Sequence, residues 1–225
     1  MSDLAYWTPR PCPVRAVLQG VHVRLEPMDA DAHALALHSA CAGHHGLWDY
    51  MPYGPFTAAE YAAWAKASAM GAEPLFFAIL VDGKPLGVAS FLNINPAHGT
   101  IEVGHICLSR ALQHSIAATE AMFLMMSWAF DAGYRRYEWK CNALNLPSRR
   151  AAQRLGFRFE GVFRNHMIIK GRNRDSAWFS VIDSDWPALR AAFDRWLSVD
   201  NFDAKGQQKL RLSALTKPIT PDPAL

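Results

Sequence analysis

Residues 137–164 read YEWKCNALNLPSRRAAQRLGFRFEGVFR, which predicts a strand, a short helix and a second strand in close succession. Apolar and polar residues alternate over 134–142, as they do in a half-buried strand. Asn145 follows this strand, and Ser148 stands where a basic helix begins. Both residue types are common helix caps. Arg149 opposes the helix dipole at that start, so the pattern indicates either a nearby anion or a solvated basic face.

Further strands lie on both sides of this stretch. Three runs follow one another upstream with short connections: LFFAILV (75–81), LGVASFLNI (86–94) and TIEVGHICLS (100–109). Short connections favour antiparallel pairing. Other predicted strands cover 21–28, 157–165 and 176–184, the last two divided by a polar turn at 171–175. We therefore predict an α/β (α+β) fold with a mixed, mostly antiparallel sheet of about seven strands, flanked by helices.

Helix signals separate these strands. Asp29 offers a cap for an Ala/Leu-rich helix, and Thr57 with Glu60 forms a capping box for the next one. Further helices are predicted over 115–132 and 186–197. The chain then divides into an irregular lead-in (1–20), one domain (21–185), and a C-terminal helix with an extended tail (186–225). The tail lies loosely or packs on a neighbour, which leaves a homodimer open.

Composition argues against several classes of protein. The net charge of +3 is small and forms no Lys/Arg block, so we expect no nucleic-acid partner. No apolar run reaches the roughly 18 residues that a membrane helix needs, and the N-terminus lacks a secretory pattern. The four cysteines show no zinc-ligand spacing, so we expect no metal. A cytoplasmic location is the expectation.

The junction between the strand at 100–109 and the helix near Ser115 is a candidate phosphate site. N–H groups at a helix start have no intrahelical partner, and the helix dipole adds positive potential there. Small residues at Ala117 and Ala118 would let a phosphate approach the backbone. A plain structural junction is the alternative.

With these motifs the chain resembles the GCN5-related N-acetyltransferase (GNAT) superfamily, and within it the branch that acetylates the N-termini of ribosomal proteins. The resemblance covers roughly residues 20–185, and the Asn-x-x-Ser at 145–148 and the LGF-x-x-EG at 155–161 carry it. It implies a sheet splayed between its fourth and fifth strands, with the pantetheine arm of acetyl-CoA in the gap. It also implies transfer of the acetyl group to a primary amine, at a protein N-terminus or on a small molecule.

The resemblance assigns the acetyl-CoA site residue by residue. The family's pyrophosphate loop, Gln/Arg-x-x-Gly-x-Gly/Ala, falls on Gln113, His114, Ser115, Ile116, Ala117 and Ala118. Ile116 stands where glycine is usual, so this loop is expected to keep helical geometry. The backbone of Ile106, Cys107 and Leu108 would pair with the pantetheine arm, and Asn145, Ser148 and Arg149 complete the set. Gly104 in that strand indicates a bulge or a close approach, with a simple packing role as the alternative.

Three residues are candidates for catalysis. The resemblance places the Ser148 hydroxyl near the sulfur as general acid, with a helix cap as the alternative. Glu102 and His166 are alternative bases; Met167, not His166, matches the family's glutamate position. Neither Cys107 nor Cys141 has a clear activating partner, which favours direct transfer in a ternary complex.

An aromatic loop would meet the acceptor. Its candidate residues are Trp48, Tyr50, Tyr53 and Phe56, and a hydrophobic seal between two helices is the alternative. A rival interpretation of the whole chain is a catalytically silent acyl-CoA-binding or partner-binding module on the same fold.

Overall fold

An eight-stranded sheet organises residues 4–220, the part of the chain that this computed structural model describes. The strands are β1 (Leu18–Gln19), β2 (Arg24–Pro27), β3 (Leu75–Val81), β4 (Lys84–Asn95), β5 (Thr100–Leu108), β6 (Arg136–Asn142), β7 (Arg158–Ile169) and β8 (Arg172–Ile182). The α-helices are α1 (Ala30–Cys41), α2 (Ala58–Met70), α3 (Ile116–Asp131), α4 (Leu146–Arg154), α5 (Trp186–Leu197) and α6 (Leu212–Thr216).

The strand order is β1-β2-β3-β4-β5-β6-β8-β7, and every neighbouring pair is antiparallel except β5 and β6. The predicted mixed sheet is therefore confirmed. The additional strand is β1, which lies inside the predicted lead-in and pairs its two residues with β2. Two residues are too few to show a period, so the sequence pattern did not indicate this strand.

The parallel pair opens after three residues. Thr100 to Glu102 pair with Arg136 to Glu138, and the two strands then run on without pairing to each other. The unpaired parts are 103–108 of β5 and 139–142 of β6, and we call the space between them the gap. Because β1 shifts the numbering by one, this is the predicted splay between the fourth and fifth strands, and it is confirmed.

The two faces of the sheet carry separate hydrophobic clusters. The larger one joins α3 and α5 to one face, with Phe77, Phe179 and Phe193 among its fully buried members. The smaller one joins α1 and α2 to the other face, around Leu37 and Phe76. Burying one such side chain contributes about 1.5–3 kcal/mol. Helices pack on both faces of the sheet, so the gap between β5 and β6 is part of the packed fold.

The predicted helix caps are present in the structure. Asp29 accepts hydrogen bonds from the first turn of α1, and both halves of the Thr57 and Glu60 capping box form at α2. Ser115 caps α3, and Asn145 caps α4. Helix starts at the gap are thus set by local sequence.

The hairpin of β7 and β8 differs from its prediction. The expected turn at 171–175 is wrong, because the chain reverses at Lys170 and Gly171, which both have positive φ (+50° and +72°). Residues 172–175 instead continue β8. This end of the hairpin is largely exposed to solvent, so polar side chains are compatible with a strand there. Their polarity was therefore no evidence for a turn.

The C-terminal segment also differs from expectation over its described part. Instead of lying loosely, residues 199–220 pack on the chain itself. Leu212 and Thr216 of α6 are fully buried, and the Thr216 hydroxyl donates to the Arg154 carbonyl of α4 at 3.1 Å. Two apolar positions spaced for one helix face are too weak a signal in a polar segment to predict this packing.

Candidate active site

The edge of β5 that faces the gap is shaped by a β-bulge. Opposite β4, Gly104 pairs with Ser90 and Cys107 pairs with Val88, so His105 and Ile106 share one partner position. His105 adopts φ +51°, which is uncommon for a residue other than glycine. The close approach predicted at Gly104 is also present, since a Cβ added there would lie 2.8 Å from Leu92 Cδ2. Among the described residues, no strand pairs with β5 beyond Glu102 on this side.

The start of α3 presents free backbone donors beside this edge. Ser115 Oγ accepts from the Ala118 N–H at 3.0 Å. Within residues 4–220 the N–H groups of Ile116 and Ala117 have no acceptor. Ile116 is the first helical residue, as expected, while the positive φ of this loop falls on His114 (+58°). Backbone donors at a helix start suit a phosphate.

Gln113 has a different contact from the one its motif suggested. Its Nε2 donates to the Leu108 carbonyl at 2.9 Å, which joins the end of β5 to the loop before α3. This side chain therefore orders the loop in the structure. Phosphate contacts from it remain a prediction.

The start of α4 lies at the other side of the gap. Helix α4 begins at Leu146, two residues before its predicted start at Ser148. Asn145 Oδ1 accepts from the Ser148 N–H at 3.1 Å, so Asn145 is the cap, and the alternative role of Ser148 as a cap is wrong. The Ser148 hydroxyl accepts from Trp139 Nε1 at 3.0 Å and also contacts the Cys141 thiol. Burial raises the pKa of Cys141, which disfavours a thiolate nucleophile. Arg149 donates to the Ala143 carbonyl at 3.2 Å and so stays beside this helix start.

Glu102 lies at the point where the gap begins. It is 2% exposed, and its Oε2 lies 3.1 Å from Lys140 Nζ and 2.7 Å from Asn93 Nδ2. Burial raises the pKa of Glu102, while Lys140 and Asn93 oppose that rise. A buried carboxyl with a raised pKa is a candidate proton acceptor near neutral pH.

His105 is a site residue that sequence reasoning missed. Its ring stacks on Tyr53 at 5.6 Å with an interplanar angle of 4°, and its Nδ1 lies 2.9 Å from the Tyr53 hydroxyl. Burial, with smaller contributions from Lys140 and Arg174, lowers the pKa of His105 to about 4, so the ring is neutral at pH 7. The available signal was a histidine next to the glycine of a predicted bulge.

His166 lies on a different strand from Glu102 and makes different contacts. It is exposed on β7, where its Nδ1 lies 2.9 Å from Ser176 Oγ. Two strands stand between β7 and β5, so at the usual strand spacing the two strands lie about 14 Å apart along the sheet. The two candidate bases therefore remain alternatives and form no pair.

Part of the aromatic loop forms the predicted hydrophobic seal, while its contact with an acceptor remains a prediction. Trp48 is 6% exposed and packs edge-on against Phe56, so these two rings seal α1 and α2. Tyr53 instead reaches His105, and Tyr50 donates to the Leu144 carbonyl at 3.2 Å, next to the start of α4. Lys170 donates to the Trp48 carbonyl at 2.9 Å. The loop thus spans the α1/α2 side of the sheet from the gap to the β7–β8 turn.

Two classes of feature are not found among residues 4–220. No helix there is long and apolar enough to cross a membrane. No three His, Cys, Asp or Glu side chains in that part of the chain come together in a way that could hold a metal ion.

Known proteins match both the sequence and the fold. The family model described as "Acetyltransferase (GNAT) domain" matches residues 22–158. A solved GCN5-related N-acetyltransferase from Brucella melitensis is 47% identical with a TM-score of 0.91, covering 94% of this chain and 98% of that one. The solved "probable acetyltransferases (GNAT family)" structure from Chromobacterium violaceum ATCC 12472 is 37% identical with a TM-score of 0.79, covering 84% of this chain and 96% of that one.

A curated relative points to the same branch as the sequence motifs. It is the "Putative ribosomal N-acetyltransferase YdaF" of Bacillus subtilis (strain 168), 25% identical over 170 residues, which are 72% of this chain and 90% of the relative. The family model spans more than half of the chain, and the splayed sheet agrees with it. The chain belongs to the GNAT family of acetyltransferases.

Proposed function

We propose that this acetyltransferase moves the acetyl group of acetyl-CoA to a primary amine by direct transfer in a ternary complex. One observation carries the proposal. An unpaired strand edge and free helix-start N–H groups lie on one side of the gap, and a buried carboxyl lies where the gap begins.

The chain's groups fit acetyl-CoA as a co-substrate. The backbone of Ile106 to Leu108 offers a free strand edge, to which the pantetheine amides could hydrogen-bond as an added strand would. The loop 113–118 offers N–H donors for the pyrophosphate. Asn145 orders the start of α4, and Arg149 adds a cation beside it.

Two groups handle protons in the proposed reaction. The amine nitrogen bonds to the thioester carbonyl carbon while the carbon–sulfur bond breaks. Glu102, directly or through water, takes the proton that the amine loses, and its raised pKa suits this role. The Ser148 hydroxyl gives a proton to the departing thiolate and regains one from solvent, to which Glu102 releases the proton that it took. The Trp139 N–H holds that hydroxyl in place. His166 remains the alternative base.

The acceptor would approach from the α1/α2 side. Tyr50 and Tyr53 border that approach. A relative named as a ribosomal N-acetyltransferase favours a protein N-terminus over a small amine. We also propose a cytoplasmic location, which the four unpaired cysteines support.

A thiol-release assay tests this proposal. The purified chain is mixed with acetyl-CoA and, in separate reactions, with N-terminal peptides, polyamines and amino-sugar antibiotics. We expect amine-dependent release of free thiol and an acetylated product by mass spectrometry. Coenzyme A binding by calorimetry without turnover on any amine would support the silent module instead. Absence of binding at millimolar coenzyme A would overturn both.

A further inference from the structure

Arg174 on β8 is a half-buried cation without a partner. None of its N–H groups makes a hydrogen bond or ion pair with a residue of the described chain, and its Nε is buried. Burial lowers the pKa of Arg174. Buried donors are nearly always satisfied, so the unpaired Nε of this guanidinium points to a group that is absent from the chain itself.

The strand register puts Arg174 at the gap. Ser176 pairs with Asn142, the last residue of β6, and Trp178 pairs with Lys140. Side chains two residues apart on a strand share a face, so Arg174 continues the line of Trp178 and Ser176 past the end of β6. Its effect on the pKa of His105 agrees with this position. Arg174 therefore lies where the α1/α2 side opens into the gap.

The carboxylates around Arg174 are already engaged. Glu102 bonds Lys140 and Asn93, and Glu138 bonds Arg136 at 2.6 Å. Asp175 accepts from the Asn165 N–H at 2.7 Å and from Asn173 Nδ2 at 3.0 Å. Glu102 interacts with Arg174 through charge alone and opposes the lowering of its pKa, and none of these acids makes a hydrogen bond or ion pair with Arg174.

A second donor nearby is also without an acceptor. Trp178 Nε1 is buried and unpaired within the described residues, and Lys140 Nζ lies 5.1 Å from the centre of the same indole. Lys140 lines a surface groove of about 470 Å³ together with Trp178 and Asn93. Glu73 and Glu138 also line this groove, so it carries no excess of positive charge. The unpaired donors of Trp178 and Arg174 are what a substrate with an oxygen anion would complement.

We infer that the acceptor carries a carboxylate close to its amine, and that Arg174 binds this carboxylate. The inference rests on the proposed function and names the substrate class of the same site. A planar carboxylate can take two parallel N–H bonds from a guanidinium, which fixes orientation as well as affinity. The carboxylate would come from an acidic residue next to a peptide N-terminus or from a free amino acid.

Matched acceptors separate these sources. One pair is a peptide beginning Ala-Asp and the same peptide beginning Ala-Asn; the other is free alanine and alaninamide. We expect the parent chain to prefer the acid of at least one pair by about tenfold to a hundredfold in kcat/KM, as for a hydrogen bond between charged groups. The pair that shows the preference identifies the source.

Variants assign the preference to the side chain. Arg174→Gln should abolish this preference, because kcat/KM for the acid should fall to the value for its neutral partner in the same variant, and Arg174→Lys should restore only part of the preference. Arg172→Gln, at an exposed position on the same strand, is the control and should keep it. Equal rates for acid and amide in both pairs, or a preference that survives Arg174→Gln, would overturn the inference.

A binding readout keeps this test apart from the proposed function. Calorimetry measures each peptide and amino acid with the parent and Arg174→Gln chains in the presence of coenzyme A, where no transfer occurs. If no acceptor is acetylated, the proposed function fails, and stronger binding of the acids that depends on Arg174 still supports the inference. Equal binding of acid and amide contradicts it.

Discussion

The two ends of the gap present different kinds of chemical group. At the α3 end the available groups are backbone donors of Ile116 and Ala117 and the free edge of β5. At the α1/α2 end they are side chains, chiefly Glu102, Lys140 and Arg174. Backbone donors are supplied by any residue except proline, whereas a carboxylate or a guanidinium has few substitutes. The first end should tolerate sequence change, and the second should not.

Electrostatic surroundings sharpen this contrast. The N–H groups at the α3 start act with a helix dipole whose effect is typically 0.3–1 kcal/mol at an exposed site. Glu102, at 2% exposure, interacts with Lys140 where water screens little. Substitutions at the side-chain end should therefore change the reaction more than substitutions at the backbone end.

The largest expected effect belongs to Glu102→Gln. If the carboxylate removes the amine proton, kcat should fall by about 10²–10⁴-fold, while coenzyme A binding changes little. The pH profile gives a second readout. Because the pKa of Glu102 is raised, its base form is lost at a higher pH than for an ordinary carboxyl, so kcat/KM should fall as pH decreases through that pKa. Glu102→Gln should lack this acidic limb.

Glu138→Gln is the matched control for this comparison. Glu138 pairs with Glu102 across the parallel strands, but it bonds Arg136 instead of Lys140. Its variant should keep the rate and the limb, with the midpoint of the limb moved to lower pH, because the charge of Glu138 contributes to the raised pKa of Glu102. Retention of the limb in Glu102→Gln, together with its loss in His166→Asn, would move the base to His166. Thermal melting checks that each variant is folded.

The contrast also explains what the sequence could predict. Local signals fixed the backbone end: the caps at Ser115 and Asn145 and the helical geometry of Ile116 follow from neighbouring residues. Helix caps depend on contacts within three residues, which a sequence displays directly.

The side-chain end depends on contacts between distant segments. Tyr53 meets His105 across 52 residues, and Glu102 meets Lys140 from another strand. Strand pairing decides such contacts, and periodicity alone does not report which strands are neighbours. Glu102 could be chosen from the sequence because it is a carboxylate in a strand predicted to border the site. His105 and Arg174 could be placed at the gap only once the strand pairing was known.

A smaller effect is expected for Ser148→Ala, at the boundary between the two ends. The reduction in kcat should be about tenfold to a hundredfold, at or below the low end for a general acid, because a thiolate with a pKa near 8.5 leaves readily. Trp139→Phe keeps the hydroxyl but removes the N–H that holds it, and it should reduce kcat less. Steady-state kinetics with saturating acetyl-CoA measures both. An unchanged kcat in Ser148→Ala would remove Ser148 from the mechanism.

The smallest effect tests the backbone end directly, through Ile116→Pro. Proline is tolerated at the first helical position, and the preceding Ser115 is already extended (φ −92°, ψ 164°), as a residue before proline must be. The variant deletes one free N–H and should weaken coenzyme A binding by about tenfold, the value of one hydrogen bond to a charged group. Ile116→Ala corrects for the lost side chain. Ala58→Pro makes the same change at the start of α2, where Thr57 is likewise extended, and should leave binding intact. Equal affinities for Ile116→Pro and Ile116→Ala would mean that this N–H does not hold the cofactor, and the contrast between the two ends would then rest on the Ala117 N–H and the β5 edge.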